Sequence, residues 1–203
     1  MRKPIVAFAL LVSPAWAQNA PLSEGPITCT SPVAPGDSAK SLMRRYGQEA
    51  VIQDDLSTGV EDITYKGVVL LPQAADWRIE VSFTDETMNR VAGLILYNKA
   101  KTSHWNVVGV TLGASLAEVQ KINGKPFLVN GFDSDFAGFV TNWKGGTLGR
   151  PLPGGCTVTV RFGKDVEAPA SMQGDDVKIS SDKPDLVRWG PVVTQIEVNF
   201  PRK

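Results

Sequence analysis

Histidine is the rarest of the residues that carry enzyme chemistry in this chain of 203 residues, which contains only one, His104. A single histidine excludes zinc sites that are built from several histidines. His104 lies beside Trp105 at the start of a strand-like stretch, which is typical of a surface or half-buried residue. We therefore predict that His104 takes part in no catalytic triad, cysteine–histidine pair or metal site.

Motifs that bind phosphate are missing as well, since neither G-x-x-x-x-G-K-[ST] nor G-x-G-x-x-G occurs. Neither sign of charge is in excess, because lysine plus arginine and aspartate plus glutamate each number 21. A balanced charge gives no attraction toward nucleic acid. Beyond the N-terminus, no run supplies the roughly 20 apolar residues that cross a bilayer. We predict no cofactor, no nucleic-acid partner and no transmembrane segment in the mature protein.

The strongly apolar run at the N-terminus has the organisation of a secretory signal. Arg2 and Lys3 precede an apolar stretch over residues 5–12, and a small-x-small cleavage motif ends at Ala17. A membrane anchor is the alternative, but the stretch is too short to span a bilayer. We predict that residues 1–17 are a cleaved signal peptide and that the mature protein is periplasmic or secreted.

The two cysteines, Cys29 and Cys156, allow only one intramolecular pairing. An oxidising compartment favours a structural disulfide. A reactive thiol pair is the alternative, but neither cysteine lies in a C-x-x-C motif or beside the histidine. We predict a disulfide, which closes a long loop and stabilises the fold by on the order of 4 to 5 kcal/mol in the chain-entropy model.

Acidic residues occur in four closely spaced pairs: Asp54-Asp55, Glu61-Asp62, Asp133-x-Asp135 and Asp175-Asp176. A glycosidase needs two carboxylates that face each other across a cleft, and spacing alone does not establish that geometry. Asp133 and Asp135 could offer oxygen ligands to calcium, but the 12-residue calcium loop is missing, so we predict a turn there. We expect the pairs to be solvated and predict neither a catalytic residue nor a metal site.

An internal repeat organises the chain. Segment 36–47 aligns without gaps on segment 113–124. The two segments share a glycine at each end, a serine at the third position, an apolar residue at the seventh and a basic residue at the ninth.

Each copy of the repeat predicts a short capped helix. In the first copy, Asp37 or Ser38 can cap the N-terminus. In the second copy, Ser115 and Glu118 form a capping box, in which each side chain accepts a hydrogen bond from a backbone N–H of the first turn. The terminal glycine of each copy is suited to end its helix.

Three strand-like runs follow each helix. They cover 63–71, 77–83 and 91–97 after the first helix, and 136–143, 156–162 and 192–200 after the second. The middle run of each set alternates apolar and polar residues, which is typical of a sheet with one buried and one solvated face. We therefore predict an α+β fold, a tandem repeat of a short helix packed on a three-stranded antiparallel sheet.

The predicted organisation beyond the signal peptide has three parts. An N-terminal segment covers 18–34, the first α+β repeat covers 35–104, and the second covers 105–203. The second repeat carries a loop insertion over 163–191 that is rich in Pro, Ser, Asp and Lys. Exposed loops often carry binding function, but a solvated connector is the interpretation that we prefer.

The helix motif over 113–126, which ends in Gly124-Lys125-Pro126, resembles the G-x-[ST]-x-x-[EQ]-V-x-x-x-x-G-x-P helix of the β-lactamase-inhibitor-protein and outer-membrane-assembly lipoprotein (SmpA/OmlA, BamE) superfamily. The weaker copy at 36–47, which is followed by Gln48-Glu49 where the Gly-x-Pro ending should be, makes the tandem arrangement more similar to the inhibitor. The resemblance implies that a helix packs on an antiparallel sheet and that two repeats present a concave sheet surface to a protein partner. It carries over no binding residue.

Aromatic residues are the candidate contacts with a partner, because large rings dominate the energetics of protein interfaces. Phe136, Phe139 and Trp143 could lie on an exposed sheet surface, although packing in the core is the alternative. We predict an exported, non-catalytic protein of the bacterial periplasm that binds or inhibits another periplasmic or envelope protein. An envelope structural protein and a hydrolase that uses paired acidic residues are the alternatives.

Overall fold

The computed structural model describes residues 25–57, 63–97 and 102–201. The predicted signal peptide and the pair Glu61-Asp62 lie outside the described residues. In the described part of the chain the helices are α1 (Ala39–Tyr46), α2 (Leu116–Asn123) and α3 (Pro184–Trp189). The strands there are β1 (Pro26–Ile27), β2 (Ala50–Ser57), β3 (Thr64–Leu70), β4 (Ile79–Phe83), β5 (Val91–Tyr97), β6 (Asn106–Val107), β7 (Leu128–Asn130), β8 (Val140–Asn142), β9 (Thr157–Gly163), β10 (Lys178–Ser180) and β11 (Val192–Asn199).

Among the described residues, six strands form the main sheet, which is antiparallel and has the order β2-β3-β4-β5-β11-β9. A smaller antiparallel sheet has the order β10-β7-β8, and β1 pairs in parallel with β6. The protein therefore has an α+β fold with few helices and mostly antiparallel sheets.

The strands of the two predicted repeats share the main sheet instead of forming two separate three-stranded sheets. β11 of the second half pairs with β5 of the first half on one side and with β9 on the other. This pairing satisfies backbone groups that β5 would otherwise expose at a sheet edge. The first half also supplies a fourth strand, β2, which the sequence did not predict.

The predicted strand over 136–143 is shorter in the structure, where β8 begins at Val140 and belongs to the smaller sheet. Asp133 and Gly138 have positive φ angles of 68° and 70°. The chain therefore turns twice before the strand begins, and extended backbone over the whole run is impossible.

Segment 163–191, predicted to be a loop insertion, contains both β10 and α3. Met172, Ile179 and Leu186 of this segment are buried in the core. Burial of apolar side chains stabilises their positions, so the segment is part of the folded domain and not a solvated connector throughout.

Both predicted helices are present, and each has a complete capping box. Ser38 and Ser41 form the box of α1, and Ser115 and Glu118 form that of α2. α2 ends at Gly124, whose φ of 75° is left-handed. None of the helices in the described ranges is long and apolar enough to cross a membrane.

The core lies on one face of the main sheet. One row of this face consists of Val68, Val81, Leu94, Val198 and Val158, which are buried neighbours on β3, β4, β5, β11 and β9. Leu42 of α1 and Val119 of α2 belong to the same buried cluster. We call this face the inner face.

The predicted disulfide joins Cys29 to Cys156, with a Cα–Cα distance of 5.6 Å. Both cysteines are buried. The bond connects the N-terminal segment before α1 to the residue that precedes β9, so it ties the beginning of the described chain to an edge strand of the main sheet.

Candidate functional site

The residues that alternate with the buried rows form the opposite side of the main sheet, which we call the outer face. One row of it consists of Val69, Glu80, Ile95, Glu197 and Thr159, on β3, β4, β5, β11 and β9. Adjacent strands are about 4.8 Å apart, so the backbones at Glu80 and Glu197, with β5 between them, are on the order of 10 Å apart. Two carboxylates that are distant in sequence therefore share one row.

Glu80 is buried and has hydrogen-bond donors on both carboxylate oxygens. Arg78 donates to Oε1 through Nη2 (2.9 Å) and Nε (3.1 Å), and the Tyr65 hydroxyl donates to Oε2 (3.2 Å). Arg78 also donates to Gln53 Oε1 on β2 (3.2 Å). The network links three strands and fixes the positions of its side chains.

Tyr65 is a neutral hydrogen-bond donor in this network. Burial raises the pKa of its phenol, and the nearby carboxylates of Glu80 and Glu197 raise it further. Ionisation of the phenol would place a third negative charge beside these two carboxylates. Tyr65 therefore keeps its proton over the physiological pH range and orients the Glu80 carboxylate.

Glu197 is half-buried in the middle of the outer face. Burial raises the pKa of its carboxyl above the ordinary value, although hydrogen bonds from Gln195 and Asn199 and the charge of Arg161 act in the opposite direction. The Gln195 amide donates to Glu197 Oε1 at 2.6 Å. As the pH falls, Glu197 therefore gains its proton at a higher pH than an ordinary glutamate does.

Arg161 lies at the β9 side of the face. Burial lowers the pKa of its guanidinium. Its Nε donates to the carbonyl oxygen of Ala137 (2.8 Å), and its Cζ is 5.1 Å from the centroid of the Phe139 ring. Phe139, a predicted partner contact, therefore forms a cation–π contact within the chain.

Two depressions flank the row that contains the two glutamates, and both are open to solvent. The Tyr65 depression has a volume of about 710 Å³, and its lining includes Tyr65, Ser82, Gly93 and Asn199. The Tyr97 depression has a volume of about 430 Å³, and its lining includes Tyr97, Arg161, Phe132 and Trp189. They lie on opposite sides of the row because Gly93 and Tyr97 are on opposite sides of Ile95 along β5.

The Tyr97 depression has a buried polar group in its wall. The indole N–H of Trp189 has no hydrogen-bond partner among the described residues, and its ring centroid is 4.5 Å from that of Phe132 in an edge-on contact. The Lys164 ammonium donates to the carbonyl oxygen of Trp189 (2.6 Å). This depression therefore combines aromatic walls with side chains of both charge signs.

The three predicted partner contacts lie in three different environments. Phe136 is 62% exposed, Phe139 is half-buried beside Arg161, and Trp143 is half-buried with its ring centroid 5.2 Å from that of Phe127. Only Phe136 offers most of its ring to solvent. Phe139 is connected to the Tyr97 depression through Arg161, which lines it.

The predicted acidic pairs that fall in the described ranges are exposed: Asp54-Asp55, Asp133-x-Asp135 and Asp175-Asp176. Asp133 lies in a turn, as expected from the sequence, and also lines the Tyr97 depression. Within residues 25–57, 63–97 and 102–201, no group of three or more His, Cys, Asp or Glu side chains is arranged to hold a metal ion.

His104 is exposed and stacks on Trp77, with ring centroids 4.5 Å apart. Its backbone N–H donates to the Asp76 carbonyl oxygen (2.9 Å). The stacked pair packs beside Trp105, whose indole donates to the Trp77 carbonyl oxygen (2.8 Å). Through these contacts His104 contributes to the packing of the segment that precedes β6.

Sequence reasoning did not identify Tyr65, Glu80 and Glu197 as site residues. A local signal existed, because Arg78-x-Glu80-x-Ser82 and Gln195-x-Glu197-x-Asn199 are polar alternations within strands. Comparison of the chain with protein-family models, with curated proteins and with solved structures finds no match. The geometry and charges of the outer face are therefore the features that indicate a function.

Proposed function

We propose that this chain is an exported, non-catalytic protein of the bacterial periplasm and that it binds another protein through the outer face of the main sheet. The observation that carries the proposal is the ordered polar network on that face, flanked by two open depressions. Side chains that are held before binding lose less conformational entropy on association. The resemblance of segment 113–126 to the inhibitor-protein helix supports the same assignment.

The composition of the face also supports a recognition role. A buried ion pair such as Arg78–Glu80 contributes no more to stability than a well-packed apolar pair of similar size, and often less. Charged and aromatic groups at fixed positions do contribute to the choice of a partner. The outer face thus has charged and aromatic side chains, which suit a binding surface, at positions where apolar side chains would suffice for a purely structural sheet.

Alanine substitution of Tyr97 tests the proposal, because this residue is 45% exposed on the outer face and lies beside the network. A partner captured from envelope extract on the immobilised protein should bind Tyr97→Ala at least tenfold more weakly than wild type. The matched control is Met43→Ala, since Met43 is 42% exposed on α1. Equal retention by all three proteins would reject the outer face as the binding surface.

We also propose that the two halves are copies of one ancestral unit. Each has an eight-residue helix with a serine-initiated capping box and a terminal glycine of positive φ. The proposal is tested by replacing residues 38–47 with the sequence of 115–124, keeping Leu42 as the apolar residue at the seventh position of the repeat. If the chimera unfolds cooperatively with a free energy of unfolding within about 2 kcal/mol of the wild-type value, the helices are exchangeable. Loss of folding argues against the proposal.

A hydrolase is the second candidate, and one observation favours it. Glu80 and Glu197 share a row beside the Tyr65 depression, and burial raises the pKa of Glu197, as a general acid requires. Against it, both Glu80 oxygens already accept hydrogen bonds from Arg78 and Tyr65. Turnover of nitrophenyl glycosides by wild type but not by Glu197→Gln would establish this candidate, and no turnover by either agrees with binding.

A further inference from the structure

We propose that the Tyr65 depression receives an arginine or lysine side chain of the partner protein. This inference rests on the proposed function and specifies the chemistry that the partner presents. The depression combines acidic groups, the Tyr65 ring and a low floor, and its lining residues come from four different strands and the β4–β5 turn.

The walls of the depression are acidic. Asp85, Glu86 and Glu197 contribute carboxyl groups, and Lys66 is the only cation among the described lining residues. The Lys66 ammonium is 2.8 Å from Asp54 Oδ1, so a carboxylate next to the depression already compensates its charge. The depression therefore has an excess of negative charge, which is complementary to a basic side chain.

Asp85 keeps its charge throughout the neutral pH range. Hydrogen bonds from the Thr87 side chain and backbone lower the pKa of its carboxyl. Asp85 and Glu86 are both exposed at the mouth, where they can attract a cation before it enters. Charges in such a position mainly raise the rate of association with a basic partner.

An aromatic ring accompanies the acidic groups. Tyr65 lines the depression, whereas Phe83, which also borders it, packs its side chain against the core. The face of an aromatic ring attracts an ammonium or guanidinium group. Rings also cover the methylene stem of lysine or arginine, which is apolar. This pairing of carboxylates with the Tyr65 ring is suited to a long basic side chain and less suited to a hydrated ion.

The floor leaves space for the length of such a side chain. Ser82 and Gly93 are paired neighbours on β4 and β5 and project little or nothing above the sheet. A Cβ at Gly93 would lie 2.7 Å from the Val198 carbonyl oxygen, so the close approach of β11 requires glycine here. The open volume above this floor is what a partner's side chain would fill.

Titration of the isotope-labelled full-length mature protein with two short peptides tests the inference by NMR. The probes are acetyl-Gly-Arg-Gly-amide and acetyl-Gly-Glu-Gly-amide, which differ only in the charged residue. We expect the arginine peptide to shift the amide signals of Ser82, Gly93 and Asn199 at least fivefold more than the glutamate peptide does. Equal shifts with both peptides, or shifts concentrated elsewhere, would overturn the inference.

The variant Asp85→Asn/Glu86→Gln should reduce the response to the arginine peptide at least fivefold. Both residues are exposed, so the fold is retained, and the amide spectrum verifies this. Asp175→Asn/Asp176→Asn is the matched control, since it removes another exposed acidic pair and should leave the response unchanged. A loss of response in the control and not in the test variant would contradict the proposed site.

Spermidine, a small polycation, distinguishes a side chain from a free ligand. Binding of spermidine at least tenfold tighter than the arginine peptide would assign the depression to a small molecule and overturn the inference. Failure of this inference can be distinguished from failure of the proposed function. A partner that depends on Tyr97 but not on Asp85 and Glu86 would leave the binding face in place and reject the basic side chain.

Discussion

Glu197 lies half-buried at the centre of the outer face, and its titration is expected to affect stability. Burial raises the pKa of its carboxyl above the ordinary value of 4.5. The folded protein then binds this proton more tightly than the unfolded chain does, so stability is lost as the pH rises through the raised pKa. The substitution Glu197→Gln removes the titrating group and with it this part of the pH dependence.

Urea denaturation of wild type and Glu197→Gln between pH 4 and pH 8 measures the effect. We expect the free energy of unfolding of the variant to improve relative to wild type as the pH rises across this range. A difference between the two proteins that stays constant with pH would contradict the burial of a carboxyl at this position.

Gly138 is a second residue whose substitution is expected to change stability. Its φ is 70°, and a Cβ there would overlap the Phe162 carbonyl oxygen. We expect Gly138→Ala to lower the free energy of unfolding by about 2 kcal/mol or more, because backbone strain and the steric overlap act together.

The matched control for Gly138 is Gly36→Ala. Nothing lies within 4 Å of a Cβ built at Gly36. The free energy of unfolding of Gly36→Ala should differ from the wild-type value by less than about 1 kcal/mol. If urea denaturation gives both variants the same stability, the close contact between the turn before β8 and strand β9 does not exist.

Among the structural elements, helix α1 is stabilised at its N-terminus by one buried carboxylate, that of Asp37. Asp37 accepts hydrogen bonds from Arg45 Nη1 (3.0 Å) and Nη2 (2.6 Å), from the Ala34 backbone N–H (2.9 Å) and from the Ser41 hydroxyl (3.0 Å). Burial alone would raise the pKa of Asp37, but these hydrogen bonds outweigh burial and lower it.

Asp37→Asn should lower the free energy of unfolding by about 1 to 2 kcal/mol at pH 7. A lowered pKa stabilises the fold above the unfolded-state value and loses this effect as the pH falls through the folded-state value. The deficit of the variant should therefore shrink below about pH 4, where aspartate gains its proton. Denaturation curves at pH 3 and pH 7 measure the change.

Asp54→Asn is the control for Asp37→Asn, since Asp54 pairs with Lys66 on the surface, where the two side chains are 76% and 46% exposed. Surface ion pairs contribute little, so the control should stay within about 0.5 kcal/mol of wild type. A larger loss from Asp54→Asn than from Asp37→Asn would contradict the anchoring of α1 described above.

Elements with a clear local pattern were predictable from the sequence, and elements defined by distant contacts were not. The N-cap candidates and the terminal glycines of the repeat located α1 and α2, and alternation located β4 and β9. β2 was missed because Val51 and Ile52 are partly exposed on an edge strand and a bulge between Gln53 and Leu56 breaks the alternation. Within segment 163–191, β10 depends on its pairing with β7, which no local pattern encodes.

The candidate site was less predictable than the fold. Glu80 and Glu197 share a row only because β11 pairs with β5, a contact between the two halves of the chain. Strand alternation predicts which residues share a face of one strand, but it does not predict which strands are neighbours. The aromatic residues chosen from the sequence were also separated by packing, since Phe139 contacts Arg161 and Trp143 contacts Phe127.

At the scale of the whole molecule, the Cys29–Cys156 disulfide joins residues 127 positions apart. Closing a loop of that length in the unfolded chain is worth about 5 kcal/mol in the chain-entropy model. We expect Cys29→Ala/Cys156→Ala to lose most of that stability in urea denaturation, and reductant to destabilise wild type but not the variant. A loss below about 1 kcal/mol would show that the sheet holds the two segments together without the bond.

Site-specific photo-crosslinking tests the central claim, that the outer face binds a protein, most directly. A photoreactive residue at Tyr97 should give one discrete adduct in an extract of the source organism, and excess unlabelled wild-type protein should abolish it by competition. The same residue at Met43 on α1 should give none. The claim is contradicted if Tyr97 gives no adduct that competition removes, or if Met43 gives the same adduct.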